Sequence, residues 1–302
     1  MYRTDARPLE LRRAESAREG RRPDRARARQ AAEMSDLTGE IAVVVGASQG
    51  IGEAIAQTLA AAGARVLATS RDGATAERLA VSLGEGHVGL ALDVRSTESV
   101  DAAAASVVAS LGTPSILVNN AGINHIGPAE SFTDEQWTEV IDVNLTGVFR
   151  SCRAFGGLML TAGRGSIVNI SSLSATMGLP GRAPYAASKA GIVGLTHTLG
   201  AEWASRGVRV NAVLPGPVRT PMVADAIARG VLDEREITER TPVGRLGAPT
   251  DVAGAVLLLC LPAAGFITAQ TLVVDGGYTM YGSAHGASEI VSRVAGASRK
   301  DD

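Results

Sequence analysis

Tyr185 and Lys189 stand four residues apart in the segment Tyr-Ala-Ala-Ser-Lys. On a helix that spacing puts the phenol and the ammonium on one face. A neighbouring cation favours the phenolate and draws a tyrosine pKa down from its reference of about 10, toward the range useful for general acid-base work. The lysine is also unusual by composition, because the chain has only two and takes its positive charge mainly from arginine. A compact ammonium with three rotating donors is not interchangeable with a broad guanidinium. The pair therefore predicts proton transfer, provided that the elements around it can hold a substrate and a reagent.

A second cluster suits a phosphate. Gly46-Ala-Ser48-Gln49-Gly50-Ile51-Gly52 follows an apolar run and opens a helix-like stretch. Glycines there let the backbone turn tightly and approach a pyrophosphate, whose charge the helix N-terminus meets. The spacing is Gly-x-x-x-Gly-x-Gly, and the alternative to nucleotide binding is an ordinary turn. After the second apolar run comes Thr69-Ser70-Arg71, with no carboxylate before Asp72. An acidic residue at that place would hold a ribose 2′-hydroxyl, whereas arginine accommodates a 2′-phosphate. NADP is thus favoured over NAD, unless Arg71 is simply a solvated charge.

These residues need a scaffold, and the chain alternates short apolar runs with helical stretches. Residues 41–45, 65–69, 88–92, 116–119, 166–170, 209–214 and 271–274 read as buried strands. Helices are predicted at about 51–62, 74–83, 97–111, 134–160, 185–205 and 249–261. Strands separated by helices, without hairpin signals, imply an α/β fold: a doubly wound, seven-stranded parallel sheet with helices on both faces, forming a single domain over 37–281. The interval at about 217–245 mixes Pro, Gly and charges after the sixth strand, where such folds place a substrate loop.

Length and charge narrow the remaining classes. The chain has 302 residues, 45% of them hydrophobic, and a net charge of -2. Residues 1–33 carry ten Arg against six Asp and Glu, a local +4, which leaves about -6 from Met34 onward. That remainder offers no basic field for nucleic acid or a membrane surface. The segment 1–36 reads as a disordered Arg-rich extension, or as an upstream misassignment with Met34 the natural start; 282–302 reads as a flexible tail. Residues 252–274 lack charge and reach spanning length, but Pro262, Gly265, Thr268 and Gln270 favour a buried helix, a turn and a strand. Cys152 and Cys260 are far apart and fit a reduced, cytoplasmic protein. His87, His197 and His285 have no clustered partners, so no metal site is predicted. His125 is read as a solvated loop residue, with contact to substrate as the alternative.

The chain resembles the short-chain dehydrogenase/reductase family in its common form of about 250 residues, from about Thr38 to Tyr278, and most nearly members of the 3-oxoacyl-[acyl-carrier-protein] reductase kind. Beyond the Gly turn, the resemblance rests on Leu92-Asp93-Val94, Asn119-Asn120-Ala121-Gly122, Asn144, Ile170-Ser171-Ser172, Tyr185 to Lys189, Pro215-Gly216-Pro-Val218-Arg-Thr220 and Val274-Asp275-Gly276-Gly277. It implies a Rossmann-like fold and catalysis by Asn144, Ser172, Tyr185 and Lys189. Tyr185 would exchange a proton with the substrate oxygen, and Ser172, thirteen residues earlier, would hydrogen-bond it. Lys189 would hold the nicotinamide ribose, and Asn144 would anchor a relay water. The implied cofactor residues are Gly46, Ser48, Gln49, Gly50, Ile51, Gly52, Arg71, Asp93, Val94, Asn120, Ala121, Gly122, Tyr185, Lys189, Pro215, Gly216, Val218 and Thr220. The chain departs from the family's pattern at Val45, Ser115 and Ala269.

The expected function is NAD(P)-dependent interconversion of a ketone and a secondary alcohol by hydride transfer, with a 3-oxoacyl thioester as leading substrate. The alternatives are an NAD-dependent sugar, polyol or steroid alcohol dehydrogenase, and a non-catalytic sensor of nicotinamide redox state. Leu173, Ser174 and Met177 are expected to line the cleft, and Arg182 and Arg219 leave an acidic substrate open. The family also implies a homotetramer or homodimer, built on the helices predicted at 134–160 and 185–205.

Overall fold

Continuous burial makes the central strands: every residue of β1 (Ile41–Val45) is buried, as both faces of a covered parallel sheet require, whereas the edge strands at Val88–Ala91 and Thr271–Val274, expected to be buried, are only partly so. The computed structural model describes residues 36–282. The other strands are β2 (Arg65–Ser70), β3 (Val88–Ala91), β4 (Ile116–Asn119), β5 (Gly165–Ile170), β6 (Val208–Pro215) and β7 (Thr271–Val274). They form one sheet in the order β3-β2-β1-β4-β5-β6-β7, parallel throughout. The order reverses between β1 and β4, where Val45 pairs with Thr69 on one side and Asn119 on the other. A crevice opens beyond the carboxyl ends of strands at such a switch point.

Alternate strand residues feed two cores. Ala42 and Val44 join Ile55 and Leu59 of α1 (Gly50–Ala61) and Val252 and Val256 of α9 (Pro249–Cys260). Val43 and Val45 join Val107 of α3 (Thr97–Ser110), Phe155 of α5 (Gly147–Ala162) and Ile192 of α6 (Ala183–Trp203) on the other face. The remaining helices are α2 (Gly73–Leu83), α4 (Asp134–Ile141), α7 (Pro221–Ala228) and α8 (Glu234–Arg240).

Two elements differ from expectation. The single helix predicted over 134–160 is interrupted by a π-helical turn at Asp142–Thr146, closed by Gly147 N–H donating to the Asp142 carbonyl. Glycine is required there because a Cβ would lie 2.8 Å from Val94. The interval 217–245, read as loop, contains α7 and α8. Thr220 Oγ1 caps α7 by accepting from Val223 N at 3.3 Å, with Pro221 in the first turn. Asp233 caps α8 by accepting from Arg235 N at 2.8 Å. Both caps are common helix starters; interspersed Gly and charge concealed them.

Residues 252–274 divide into the end of α9, a short 3-10 turn at Pro262–Ala264 and β7. Among the described residues no helix is long and apolar enough to cross a membrane. The N-terminal extension expected before residue 36, with Met34 as a possible start, and the flexible tail expected after 282 lie outside the described residues. Ser115 stands where the family has an aspartate, and its hydroxyl donates to Glu40 while accepting from Ile41 N at 3.3 Å.

Candidate active site

β5 and α6 build the reactive end of the crevice. Just past β5, Ser172 Oγ accepts from Ser174 N at 3.1 Å and so starts a short 3-10 turn. Its neighbour Ser171 donates to the Lys189 backbone carbonyl at 2.8 Å, which ties β5 to α6 and occupies that hydroxyl. Pro184 occupies the first turn of α6 and sets Tyr185 at the cleft, with Lys189 one turn on. Lys189 is only 4% exposed; its Nζ donates to the Ile170 carbonyl at 2.8 Å and lies 5.5 Å from the centre of the Tyr185 ring.

The electrostatics correct one expectation. Burial pushes the Tyr185 phenol above its ordinary value, while a hydrogen bond to Ser172 and the charge of Arg182 pull it back. The pull on the phenol comes from Ser172 and Arg182, while the Lys189 ammonium donates to the Ile170 carbonyl. Burial instead brings Lys189 itself down from 10.5 to about 8. A poorly solvated ammonium gains from any added acceptor in the cleft.

Asn144 sits in the π-turn, fully buried behind the cavity wall. Its Oδ1 accepts from Ile123 N at 2.8 Å, and its Nδ2 donates to Ile123 O at 2.9 Å and Ser188 Oγ at 3.1 Å. Ser188 Oγ in turn donates to the Tyr185 carbonyl at 2.7 Å. Asn144 therefore braces the loop after β4 against the first turn of α6. A Cβ on Gly122 would stand 3.3 Å from Asn144 Oδ1 and 3.6 Å from Lys189 Nζ, so glycine keeps both within reach of the cleft.

A cavity of about 860 Å³ runs from the Gly46–Ile51 turn past Arg71 to Ser172, Tyr185 and Lys189. Of the cofactor residues expected from sequence, all but Gly52 line it. Gly52 lies behind, where a Cβ would come within 2.1 Å of the Gly46 carbonyl, an oxygen already held by Asn120 Nδ2 at 2.7 Å. Its role is close packing of helix on turn. Gly46 itself has φ +82, and a Cβ there would meet Ala121 at 2.7 Å. No side chain caps α1, so its first N–H groups are left for an anion.

The far end of the cavity suits a dinucleotide phosphate. Asp72, which could compete for a ribose hydroxyl, caps α2 through Ala74 N at 3.1 Å and takes Thr75 Oγ1 at 2.5 Å. Asp93 is gripped by Arg95 at 2.7 Å, which with Arg71 holds its carboxyl below the usual range.

Leu179 and Pro180 from the loop before α6 and Tyr278 near the C-terminal turn also line the cavity and escaped the sequence reading. Leu232 and Ile237 around α8 line it too, within the 217–245 interval expected to meet substrate, and with Leu173 and Leu179 they supply apolar lining. Met177, by contrast, does not line the cavity, although Leu173 and Ser174 do. Arg219 pairs with Glu234, and His125 lies 3.0 Å from Glu139 Oε2; neither lines the cavity. Among the described residues no cluster of three His, Cys, Asp or Glu could hold a metal.

A doubly wound sheet whose switch-point crevice joins a glycine turn to a Ser-Tyr-Lys cluster defines a dinucleotide-dependent oxidoreductase scaffold. The family described as Enoyl-(Acyl carrier protein) reductase matches residues 46–279. The 3-oxoacyl-[acyl-carrier-protein] reductase of Vibrio cholerae is 40% identical over 247 residues, covering 81% of this chain and 99% of that protein. The D-threitol dehydrogenase of Mycolicibacterium smegmatis is 43% identical over 81% of this chain and 94% of its own. Among solved structures, gluconate 5-dehydrogenase from Burkholderia cenocepacia, in complex with NADP and tartrate, superposes with a TM-score of 0.79 at 34% identity, covering 83% of this chain and 99% of that one. The chain belongs to the short-chain dehydrogenase/reductase family.

Proposed function

We propose that this protein interconverts a ketone and a secondary alcohol with NADP, and that a 3-oxoacyl thioester is its leading substrate class. The observation that carries the reading is the single cavity joining the Gly46–Ile51 turn to Ser172, Tyr185 and Lys189. The nicotinamide cofactor supplies or accepts the hydride. The chain's residues supply position, a proton and stabilisation of oxygen charge. Ser172 orients the substrate oxygen and keeps a hydrogen bond on the Tyr185 hydroxyl. Tyr185 donates its proton to that oxygen during reduction and takes it back during oxidation. Lys189 can exchange the Ile170 carbonyl for ribose hydroxyls, and Asn144 holds its surroundings in place.

Arg71 supports NADP over NAD, since it lines the cavity while the adjacent carboxylate is committed to a helix cap. The apolar wall of Leu173, Leu179, Leu232 and Ile237 supports an acyl chain. A second reading, oxidation of a sugar or polyol, is favoured by Asn124: its side chain lines the cavity, and its occluded Oδ1 has no hydrogen-bond partner among the described residues. A small rotation of that side chain would turn the oxygen toward an additional substrate hydroxyl. A panel of 3-oxoacyl thioesters and polyols, run with each nicotinamide, separates the readings. Rapid thioester reduction with NADPH, and a raised KM for NADPH alone in Arg71→Ala, is the expected result; a clear NAD preference refutes the role given to Arg71.

The protein is further proposed to be a cytoplasmic homo-oligomer. Both cysteines are buried free thiols. Trp137 on α4 and Phe149 on α5 are 45% and 44% exposed, as apolar anchors of a subunit interface would be in an isolated chain.

A further inference from the structure

Three cationic side chains line the cavity, and two have evident tasks. Arg71 stands with Asp72 and Asp93 at the far end, and Lys189 is bound to the Ile170 carbonyl. The third, Arg182, lines the reactive end three residues before Tyr185. Its guanidinium makes no hydrogen bond or ion pair among the described residues, unlike Arg219, which Glu234 neutralises. Among the described residues, the only carboxylates lining the cavity are Asp72 and Asp93, both beside Arg71. Arg182 is thus an uncompensated positive charge within a largely apolar pocket, where a charge attracts an anion more strongly than in open water.

Its placement is built. Gly181, at φ +78, receives a hydrogen bond on its carbonyl from Gly127 N at 3.1 Å, which fastens the turn before α6 to the loop after β4. The Arg182 carbonyl then accepts from Ala186 N at 2.8 Å as α6 begins. Arg182 caps the helix from outside its first turn, and its charge reaches the Tyr185 phenol across the cavity that both residues line.

We propose that Arg182 is a specificity residue that binds a second substrate oxygen, next to the carbonyl that Tyr185 protonates, and so directs the enzyme to 3-oxo acids and their thioesters. The inference rests on the carbonyl reductase reading above and deepens it. A guanidinium can hold a carboxylate through two parallel hydrogen bonds and a thioester carbonyl through one, so the free acid should depend on it more.

The test measures kcat/KM for acetoacetate, its methyl ester and butanone, which share a methyl ketone and differ in the neighbouring oxygen. In Arg182→Gln the loss on acetoacetate should exceed the loss on butanone by about tenfold or more, with the ester between them, as befits a hydrogen bond to a charged group. Arg182→Lys should recover part of the acetoacetate rate. Equal losses on all three compounds would overturn the proposal, because they would place Arg182's effect on Tyr185 or on the fold; so would no loss at all. Failure of the underlying reading looks different: the unaltered protein would reduce none of the three with either nicotinamide, and the proposal would fall with it.

Discussion

In the reaction proposed above, Tyr185 works as an acid because burial holds its proton. Its phenol lies above the ordinary tyrosine value, with Ser172 and Arg182 only partly offsetting the loss of water. Through neutral pH the group is therefore protonated and ready to donate to a carbonyl oxygen. Lys189, lowered to about 8, loses its charge before the raised Tyr185 phenol ionises as pH rises. The plot of kcat/KM for reduction, which reports free-enzyme groups, should be flat through neutral pH and fall on an alkaline limb near 8. A reductive rate that climbs steadily with pH would contradict these assignments. The Tyr-x-x-x-Lys spacing made both residues legible in the sequence. What it could not reveal is that the ammonium turns to the Ile170 carbonyl, because that contact belongs to the end of β5, nineteen residues earlier.

At the level of elements, the Gly46 turn and the loop containing Ala269 make opposite predictions. Gly46→Ala forces a Cβ to within 2.7 Å of Ala121 at a φ of +82, so the turn must move away from the position that approaches pyrophosphate. NADP affinity should drop by about tenfold or more, and thermal stability should fall with it. Ala269 is the one non-glycine with positive φ among the described residues, at 56°, where the family commonly has glycine. Ala269→Gly removes backbone strain of about 1 kcal/mol but adds unfolded-state freedom, so chemical denaturation should show stability unchanged or raised by up to about 1 kcal/mol. The central strands were legible because buried parallel strands are apolar runs without alternation, while the edge strands β3 and β7 are apolar runs that turn out only partly buried. The π-turn carrying Asn144 was not, since it arises from the approach of Val94 to Gly147, a contact no local pattern encodes. Nor were α7 and α8, whose short lengths give little periodicity and whose caps alone mark them.

For the whole molecule, the sheet order matters more than any single strand. By reversing direction at β1 and β4 it brings a turn near residue 46 and a helix starting at residue 183 to one cavity. Motif order and fold class could be read from the chain, but the shape of the substrate end could not. Leu179, the Leu232–Ile237 stretch and Tyr278 are far apart in sequence and line one cavity only after folding. Trp137 and Phe149 project from a single folded chain, so light scattering should find a dimer or tetramer, and a stable monomer would reject the oligomer proposal.

The central claim is that Tyr185 passes the proton while NADP carries the hydride. Consumption of NADPH with a 3-oxobutyryl thioester, by the unaltered protein and by Tyr185→Phe, tests it most directly. The variant should fold and bind NADPH as before and lose about a hundredfold or more in kcat, the scale of a positioned general acid. Full activity in a folded, NADPH-binding Tyr185→Phe protein would contradict the account.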